Sequence, residues 1–247
     1  MLQRAVFVAG MAILSIAGSS SANAAAVFGF NRITANAPTN VAGQLFVTVD
    51  DAGTAYDNFN ILRAQVGFTF RNFGGTASKI NNIYFDDGTL LGGIKSITNS
   101  TYGTVNFSVL KNAGNLPGSN TFNTTKGFTA TPDPGQDNAV VNSTDVINYE
   151  WVRIVFMLQG SLDYLATISA MELSLLSPGV YVTNGLRIGL HVQGIGVNSD
   201  SFINGGQNPN PPFSLDPVPE PASMAMWLTV AVGGAFVARR KSKKTVC

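Results

Sequence analysis

AQVGFTFRNF, residues 64–73, is the stretch that decides the fold class of this chain. Its apolar side chains recur at every second position, so Val66, Phe68 and Phe70 share one face of an extended strand. The pair Gly74-Gly75 then ends the pattern. This alternation predicts a β-strand with one face in a hydrophobic core.

The same period continues on both sides of that stretch. One further segment, Trp151 to Leu158, is nearly all apolar and predicts a central strand buried on both faces, with Trp151 in the core. A single helix is expected after Ser161 as its N-cap, with Leu162, Leu165, Ile168 and Met171 as the buried stripe. The other predicted strands are 44–49, 78–85, 89–97, 103–110 and 186–193.

About eight short strands and one helix predict a mostly β protein, an antiparallel β-sandwich of jelly-roll-like topology. We place this domain at residues 25–197. Residues 112–148 contain few large apolar side chains and are expected to form a long loop. Residues 198–217, which are rich in Gly, Asn and Pro, are expected to form a flexible linker.

The C-terminal thirty residues form a three-part segment, 218–247. Two prolines keep its first part extended, because proline fixes φ and lacks an N–H donor. The apolar run 224–238 would span about 22 Å as a helix, which is short for a permanent transmembrane helix. The basic tail 239–247 is expected on the cytoplasmic side of a membrane. The first part is Val218, Pro219, Glu220, Pro221, Ala222 and Ser223, and the stop-transfer cations are Arg239, Arg240, Lys241, Lys243 and Lys244.

The N-terminus has the form of a secretory signal peptide, residues 1–24. A short basic start is followed by an apolar run over 5–17 and by small residues. Ala22 and Ala24 make an A-x-A-like cleavage site, with Ala24-Ala25-Ala26 as the alternative. Together the two ends predict export of everything between them.

The C-terminal segment resembles the PEP-CTERM sorting signal of Gram-negative bacteria. That resemblance implies an exosortase-type processing enzyme, the Sec export machinery and the inner membrane as a transient anchor, with a final location at the cell surface or outside the cell. The alternative is an ordinary tail anchor that is never processed. The interior resembles an uncharacterised group of PEP-CTERM ectodomains in the stretches 44–49, 83–91, 186–196 and 200–204. This second resemblance implies organisms that make exopolysaccharide, and it supplies no functional residues.

Charge and cysteine content exclude several functions. The C-terminal tail holds five of the fifteen basic residues and Arg4 another, which leaves nine basic against thirteen acidic residues, or about −4, in the exported part. A mildly acidic domain with dispersed cations is a poor candidate for binding nucleic acid. The only cysteine is Cys247, so the exported domain has no disulfide.

Catalytic and metal-binding residues are scarce. His191 is the only histidine, and its strand places it opposite the apolar face, which favours a structural or surface role. Asp50-Asp51 and Asp86-Asp87 lie at strand ends, where turn hydrogen bonds are the first interpretation and calcium the second. We therefore expect no enzyme activity, no cofactor and no metal.

Three functions remain. The leading one is a non-catalytic surface or matrix protein, structural or adhesive, in contact with exopolysaccharide. The second is a lectin-like carbohydrate-binding module that uses Tyr102, Phe122 and Phe128 as exposed aromatic residues. The third is a glycan hydrolase with dispersed carboxylates, which would require Glu150 or Glu172 in a cleft with a second carboxylate about 5–10 Å away.

Overall fold

The computed structural model describes residues 24–111, 114–118, 122–131, 137–175 and 184–213. These residues belong to one compact unit, Asn23–Asp216. The predicted sorting signal 218–247 and, apart from Ala24, the predicted signal peptide lie outside the described residues. Among the residues that are described, no helix is both long enough and apolar enough to cross a membrane.

The described chain forms eleven strands and one α-helix, so the predicted mostly β class with a single helix is confirmed. A short 3-10 turn, Ala42–Gln44, precedes β2. The helix is α1, Tyr164–Leu175. The strands are β1 Ala26–Arg32, β2 Leu45–Tyr56, β3 Leu62–Asn72, β4 Lys79–Asp86, β5 Leu91–Asn99, β6 Phe107–Val109, β7 Lys126–Ala130, β8 Val140–Val141, β9 Trp151–Leu158, β10 Arg187–Ile195 and β11 Asn198–Gln207.

All eleven strands belong to one antiparallel sheet that is nearly closed. Its order is β5-β9-β3-β2-β1-β11-β10-β4-β7-β6, and β8 pairs with β4. Aromatic rings from distant strands meet inside the sheet: Phe68 of β3 lies 5.2 Å from Phe85 of β4, and Phe128 of β7 lies 5.9 Å from Phe156 of β9, as centroid distances. The sheet therefore curls around a single core.

Alternating sequence explains the strands that form this core. Val66, Phe68 and Phe70 of β3 are each fully buried, as the period-two pattern of 64–73 predicts. In β9 the core face is Val152, Ile154, Phe156 and Leu158, while Trp151 is only half-buried. On the opposite face only Val155 is buried, so the prediction of burial on both faces holds at that residue alone, and the placement of Trp151 in the core is wrong.

The helix begins later and faces another way than predicted. The Ala166 N–H donates to Asp163 Oδ1 at 2.9 Å, so Asp163 and not Ser161 supplies the N-terminal cap. The predicted stripe holds for Met171, which is buried, and for Ile168, which is partly buried against the core, whereas Leu162 and Leu165 are exposed. The buried residues of α1 are Tyr164, Thr167, Ala170, Met171 and Ser174.

The predicted linker 198–217 is wrong over most of its length. Residues 198–207 form β11, which lies between β1 and β10 in the sheet, so the domain does not end at residue 197. The chain then follows the surface to Phe213, whose buried ring packs edge-on against Phe46 at 5.3 Å and lies over the Arg71 guanidinium at 4.9 Å. Gly and Pro content predicted flexibility here, but backbone pairing and this ring contact hold the segment in place.

The predicted loop 112–148 also contains structure. β7 adds to the sheet beside β4, with Ile83 opposite Phe128, and β8 pairs with the start of β4. These strands are too short to show alternation in the sequence, so their pairing depends on tertiary contacts.

Candidate functional site

The loop between β2 and β3 is built around the side chain of Asp57. Its Oδ1 accepts hydrogen bonds from the backbone N–H groups of Phe59 at 2.8 Å and Ile61 at 2.9 Å. The Asp57 N–H donates to the Ile61 carbonyl at 2.9 Å, and Asn60 adopts a left-handed φ of 60°. The hydrogen bond from Ile61 is the main cause that lowers the pKa of Asp57, and Arg63 adds to it. The loop is therefore fixed by its own hydrogen bonds.

This fixed loop exposes large apolar side chains. Phe59 is 84% exposed, and Tyr56, Ile61 and Leu62 beside it are also exposed. An aromatic side chain held in water by a rigid loop is not required by the core. Contiguous exposed apolar surface of this kind marks binding sites more often than random surface does. We call the segment Tyr56–Leu62 the hairpin tip.

A groove of about 380 Å³ runs beside the hairpin tip. It is lined by the loop 57–59, by residues 157–160 and by Gly92-Gly93 of the edge strand β5, a pair that we call the glycine floor. The register of β5 on β9 shifts between Leu91 and Ile94, so the two glycines form a bulge. A Cβ at Gly93 would meet no atom within 4 Å, so this position, which lines the groove, faces open space.

Three polar side chains line this groove with free hydrogen-bonding capacity. Arg63 donates through Nε to Asp57 at 3.0 Å and through Nη1 to the Gly160 carbonyl at 2.7 Å, which fixes its guanidinium. Gln159 donates to the Leu91 carbonyl at 3.2 Å through Nε2. Arg63 Nη2, Gln159 Oε1 and the Asn58 amide make no hydrogen bond with any part of the chain that the structure describes. The arrangement can orient a polar ligand, and its one carboxylate already accepts three hydrogen bonds.

A second groove, of about 560 Å³, lies between α1 and the turn after β4. Leu90, Leu162 and Leu173 line it together with Asp87. The Asp87 carboxylate is buried, and it accepts hydrogen bonds from the Leu91 N–H at 2.6 Å and from the Thr125 hydroxyl. Burial raises the pKa of Asp87, against the opposing effect of these bonds. This carboxylate shapes the turn, as predicted.

The other acidic residues considered for calcium also have partners. Asp86 forms a buried ion pair with Arg187, and Asp50 pairs with Arg153. Asp51 Oδ1 accepts a hydrogen bond from the Gly53 N–H at 2.9 Å, at the point where the register of β2 on β3 shifts. Within the described ranges, no group of three or more His, Cys, Asp or Glu side chains is arranged to hold a metal ion.

The three aromatic residues predicted to bind carbohydrate do not form a site. Phe128 is fully buried in the core, and Phe122 is buried in a small cluster with Tyr84 and Leu116. Tyr102 is 51% exposed, but neither Phe122 nor Phe128 can join it at the surface. The prediction is wrong for both buried rings, because Phe128 packs in the main core against Phe85 and Phe156 and Phe122 packs in that small cluster.

The remaining candidates for catalysis lie outside both grooves. Glu150 Oε2 accepts a hydrogen bond from the Val141 N–H at 2.7 Å, and burial raises the pKa of Glu150. Glu172 lies on α1 and accepts a hydrogen bond from Gln207 at 2.8 Å. His191 is half-buried, and burial lowers its pKa although Asp200 acts in the opposite direction. Neither glutamate lines either groove.

Most of the predicted sorting residues lie outside the described residues: Ala22, the motif 218–223 and the cations 239–244. Ala24 is described, is exposed, and its carbonyl accepts a hydrogen bond from Tyr164 Oη at 2.8 Å. Phe59 was not among the predicted site residues. The sequence does mark this residue, because Phe59 lies inside the turn-forming run Asp57-Asn58-Phe59-Asn60 and not at an alternating position of a strand.

No protein-family model, no curated protein and no solved structure matches this chain.

Proposed function

We propose that this chain is an exported, non-catalytic protein of the cell surface or extracellular matrix, sorted through its C-terminal PEP-CTERM-like segment. The observation that carries the proposal is that the compact unit of the structure ends close to where the two predicted export segments begin and end. The compact unit is Asn23–Asp216, and the two segments assigned to export from the sequence are 1–24 and 218–247. Segments that are cut away or re-anchored must not supply strands of the folded domain, and the eleven strands of the described residues all lie between Ala26 and Gln207.

The start of β1 favours one of the two signal-peptide sites. Ala26 pairs with Val49 as the first residue of β1. Cleavage after Ala24 leaves this pair intact, whereas cleavage after Ala26 removes one partner. Tyr164 loses its bond to the Ala24 carbonyl on cleavage but stays 3.4 Å from the Val49 carbonyl. We therefore propose that the mature chain begins at Ala25.

The polar side chains support a non-catalytic role. The carboxylates described above serve turns, ion pairs and backbone amides, and the single histidine is half-buried between strand neighbours. We also propose that the nearly closed sheet packs as a sandwich of jelly-roll type, since rings of β3 and β9 meet rings of β4 and β7. A structural or adhesive role in an exopolysaccharide matrix fits such a domain.

Intact-mass measurement tests the proposal. The chain is produced in a host that contains an exosortase, with an epitope inserted beside the exposed Thr98 of β5. We expect a mature protein that starts at Ala25 and has lost the segment after the Pro-Glu-Pro motif. The double variant Pro219→Ala/Pro221→Ala should remain full-length, whereas the control Pro209→Ala/Pro211→Ala, outside the motif, should be processed normally. Persistence of the unaltered chain as full-length protein in the inner membrane would contradict the sorting proposal.

A further inference from the structure

We propose that the groove beside the hairpin tip binds a neutral glycan, with the Phe59 ring against the apolar face of a sugar and with Asn58, Arg63 and Gln159 on its hydroxyls. This inference does not depend on the sorting route, because it rests on the loop, the groove and their polar groups alone.

Phe59 provides the stacking surface. Its ring is 84% exposed while its own N–H is bonded to Asp57, so the loop is ordered before any ligand arrives. Binding to an ordered loop avoids most of the entropy cost of fixing it. A sugar ring has one face of C–H groups and an edge of hydroxyls, and an exposed aromatic face complements the first of these.

The polar rim complements the hydroxyl edge. Asn58 and Gln159 each offer an amide, and Arg63 offers the Nη2 donors that its two other bonds leave free. The only ionised groups that line the groove are Asp57 and Arg63, and they neutralise each other in an ion pair. A neutral ligand therefore fits this groove better than a phosphate, a uronic acid or a cation.

The glycine floor provides the space. The groove volume of about 380 Å³ lies in the lower part of the range of ligand sites, roughly 300–1,000 Å³. Gly92 has no room for a side chain, because a Cβ would come within 2.9 Å of the Met157 carbonyl oxygen. Gly93 faces open space, so any side chain there would occupy the volume that we assign to the sugar.

A lipid surface is the competing occupant of an exposed apolar tip. Membrane-bound tips combine apolar residues with Lys or Arg that meet anionic headgroups. Between Tyr56 and Leu62 the only charged residue is Asp57, and Asn58 and Asn60 flank Phe59. The tip is thus polar on both sides of its aromatic residue, which favours the glycan.

Affinity electrophoresis of the full chain tests the glycan site. The protein is held in a polyoxyethylene detergent, which carries no sugar, and run through gels that contain a neutral β-glucan, a neutral galactomannan or the anionic alginate. We expect retardation by at least one neutral polysaccharide. Phe59→Ala should weaken that binding by about tenfold or more, since aromatic anchors dominate small sites. Phe59→Trp should retain it.

Two further variants separate binding from folding and from general stickiness. Gly93→Leu adds a side chain over open space and should abolish retardation without loss of the fold. Ile147→Ala is the matched control, because Ile147 is 82% exposed and its N–H is likewise bonded to an aspartate, Asp145, at 2.8 Å. It should bind as the unaltered chain does. The proposal is overturned by absence of retardation in both neutral gels, by equal effects of Phe59→Ala and Ile147→Ala, or by normal binding of Gly93→Leu.

Vesicles of phosphatidylcholine and phosphatidylglycerol with brominated acyl chains test whether the hairpin tip inserts into a lipid bilayer. The Phe59→Trp chain is reconstituted into them, and its fluorescence is compared with that of the unaltered chain. We expect no additional quenching from the new tryptophan. Strong quenching of the new tryptophan, together with no retardation by a neutral glycan, would overturn the proposal and show that the hairpin tip binds a membrane surface.

Discussion

Phe128→Ala is the substitution that most directly tests the core described here. The sequence predicts Phe128 as an exposed ligand-binding residue, and the structure buries it completely. Its ring lies 5.8 Å from Phe85 and 5.9 Å from Phe156, both in edge-to-face orientation. These neighbours belong to β4 and β9, which lie in different halves of the sheet order. The ring therefore helps to hold the two halves together.

The expected cost follows from these contacts. Truncation of a buried phenylalanine to alanine costs roughly 3–5 kcal/mol, because the transfer free energy is lost and a cavity remains. Because two aromatic pairs are lost with the ring, we take the middle of that range, about 4 kcal/mol, and not its lower end. With a urea m-value on the order of 2 kcal/mol per molar, the unfolding midpoint should fall by about 2 M.

Pulse proteolysis of the full chain in urea measures this midpoint, since only unfolded protein is cut during the pulse. Tyr102→Ala is the matched control, because that ring is 51% exposed and its loss should change the free energy of unfolding by less than about 0.5 kcal/mol. If Phe128→Ala and Tyr102→Ala lower the midpoint equally, the ring is not in a closed core and the placement of β7 is refuted.

Three other substitutions have defined outcomes. Burial raises the pKa of the Asp200 carboxyl, but the hydrogen bonds that the carboxylate accepts outweigh burial, so its pKa in the folded protein is lowered. The free energy that this carboxylate contributes to folding is therefore present above the unfolded pKa of about 3.9 and is lost as the pH falls through the folded pKa. In Asp200→Asn the free energy of unfolding should therefore fall less steeply at acid pH than in the unaltered chain. An unchanged acid dependence would show that Asp200 is not its cause. Asp86→Asn should lower the free energy of unfolding in urea by about 3–5 kcal/mol, because it removes the charge of a buried ion pair with Arg187. The double variant Asp86→Leu/Arg187→Met should recover most of that loss, and a double variant no more stable than Asp86→Asn would contradict this. Phe213→Ser should expose residues 208–213 to protease in the native state, and resistance equal to that of the unaltered chain would show that the ring is not needed.

Strands with regular alternation of apolar residues could be predicted from the sequence, whereas β11, which lacks that alternation, could not. β11 contains Phe202 and Ile203 within a run of Asn, Ser, Asp and Gly, a composition that predicts a linker. Buried polar bonds replace apolar alternation there. Asp200 accepts from the Asn36 N–H at 2.8 Å, and Asn204 Oδ1 accepts from the Ile188 N–H at 2.7 Å. Partners this distant along the chain are not visible in a local pattern.

The site was only partly predictable for a related reason. Carbohydrate binding through exposed aromatic residues was a sequence hypothesis, but composition alone selected Phe122 and Phe128, which lie in segments poor in other apolar residues. Exposure is decided by what covers a residue, and residues far along the chain cover these two. Phe59 sits in a loop that its own Asp57 organises, so the local sequence did contain its signal.

The hairpin of β2 and β3 connects the two proposals. Phe213, the last described residue, packs on Phe46 near the start of β2, whereas Phe59 follows the end of that strand. The ten residues from Phe46 to Tyr56 correspond to about 30 Å of extended strand, at roughly 3.3 Å per residue. The chain thus leaves the described domain far from the groove, and removal of residues after the Pro-Glu-Pro motif should leave glycan affinity unchanged. A processed and an unprocessed chain that differ in retardation by a neutral glucan would show that the groove is not independent of the C-terminal segment.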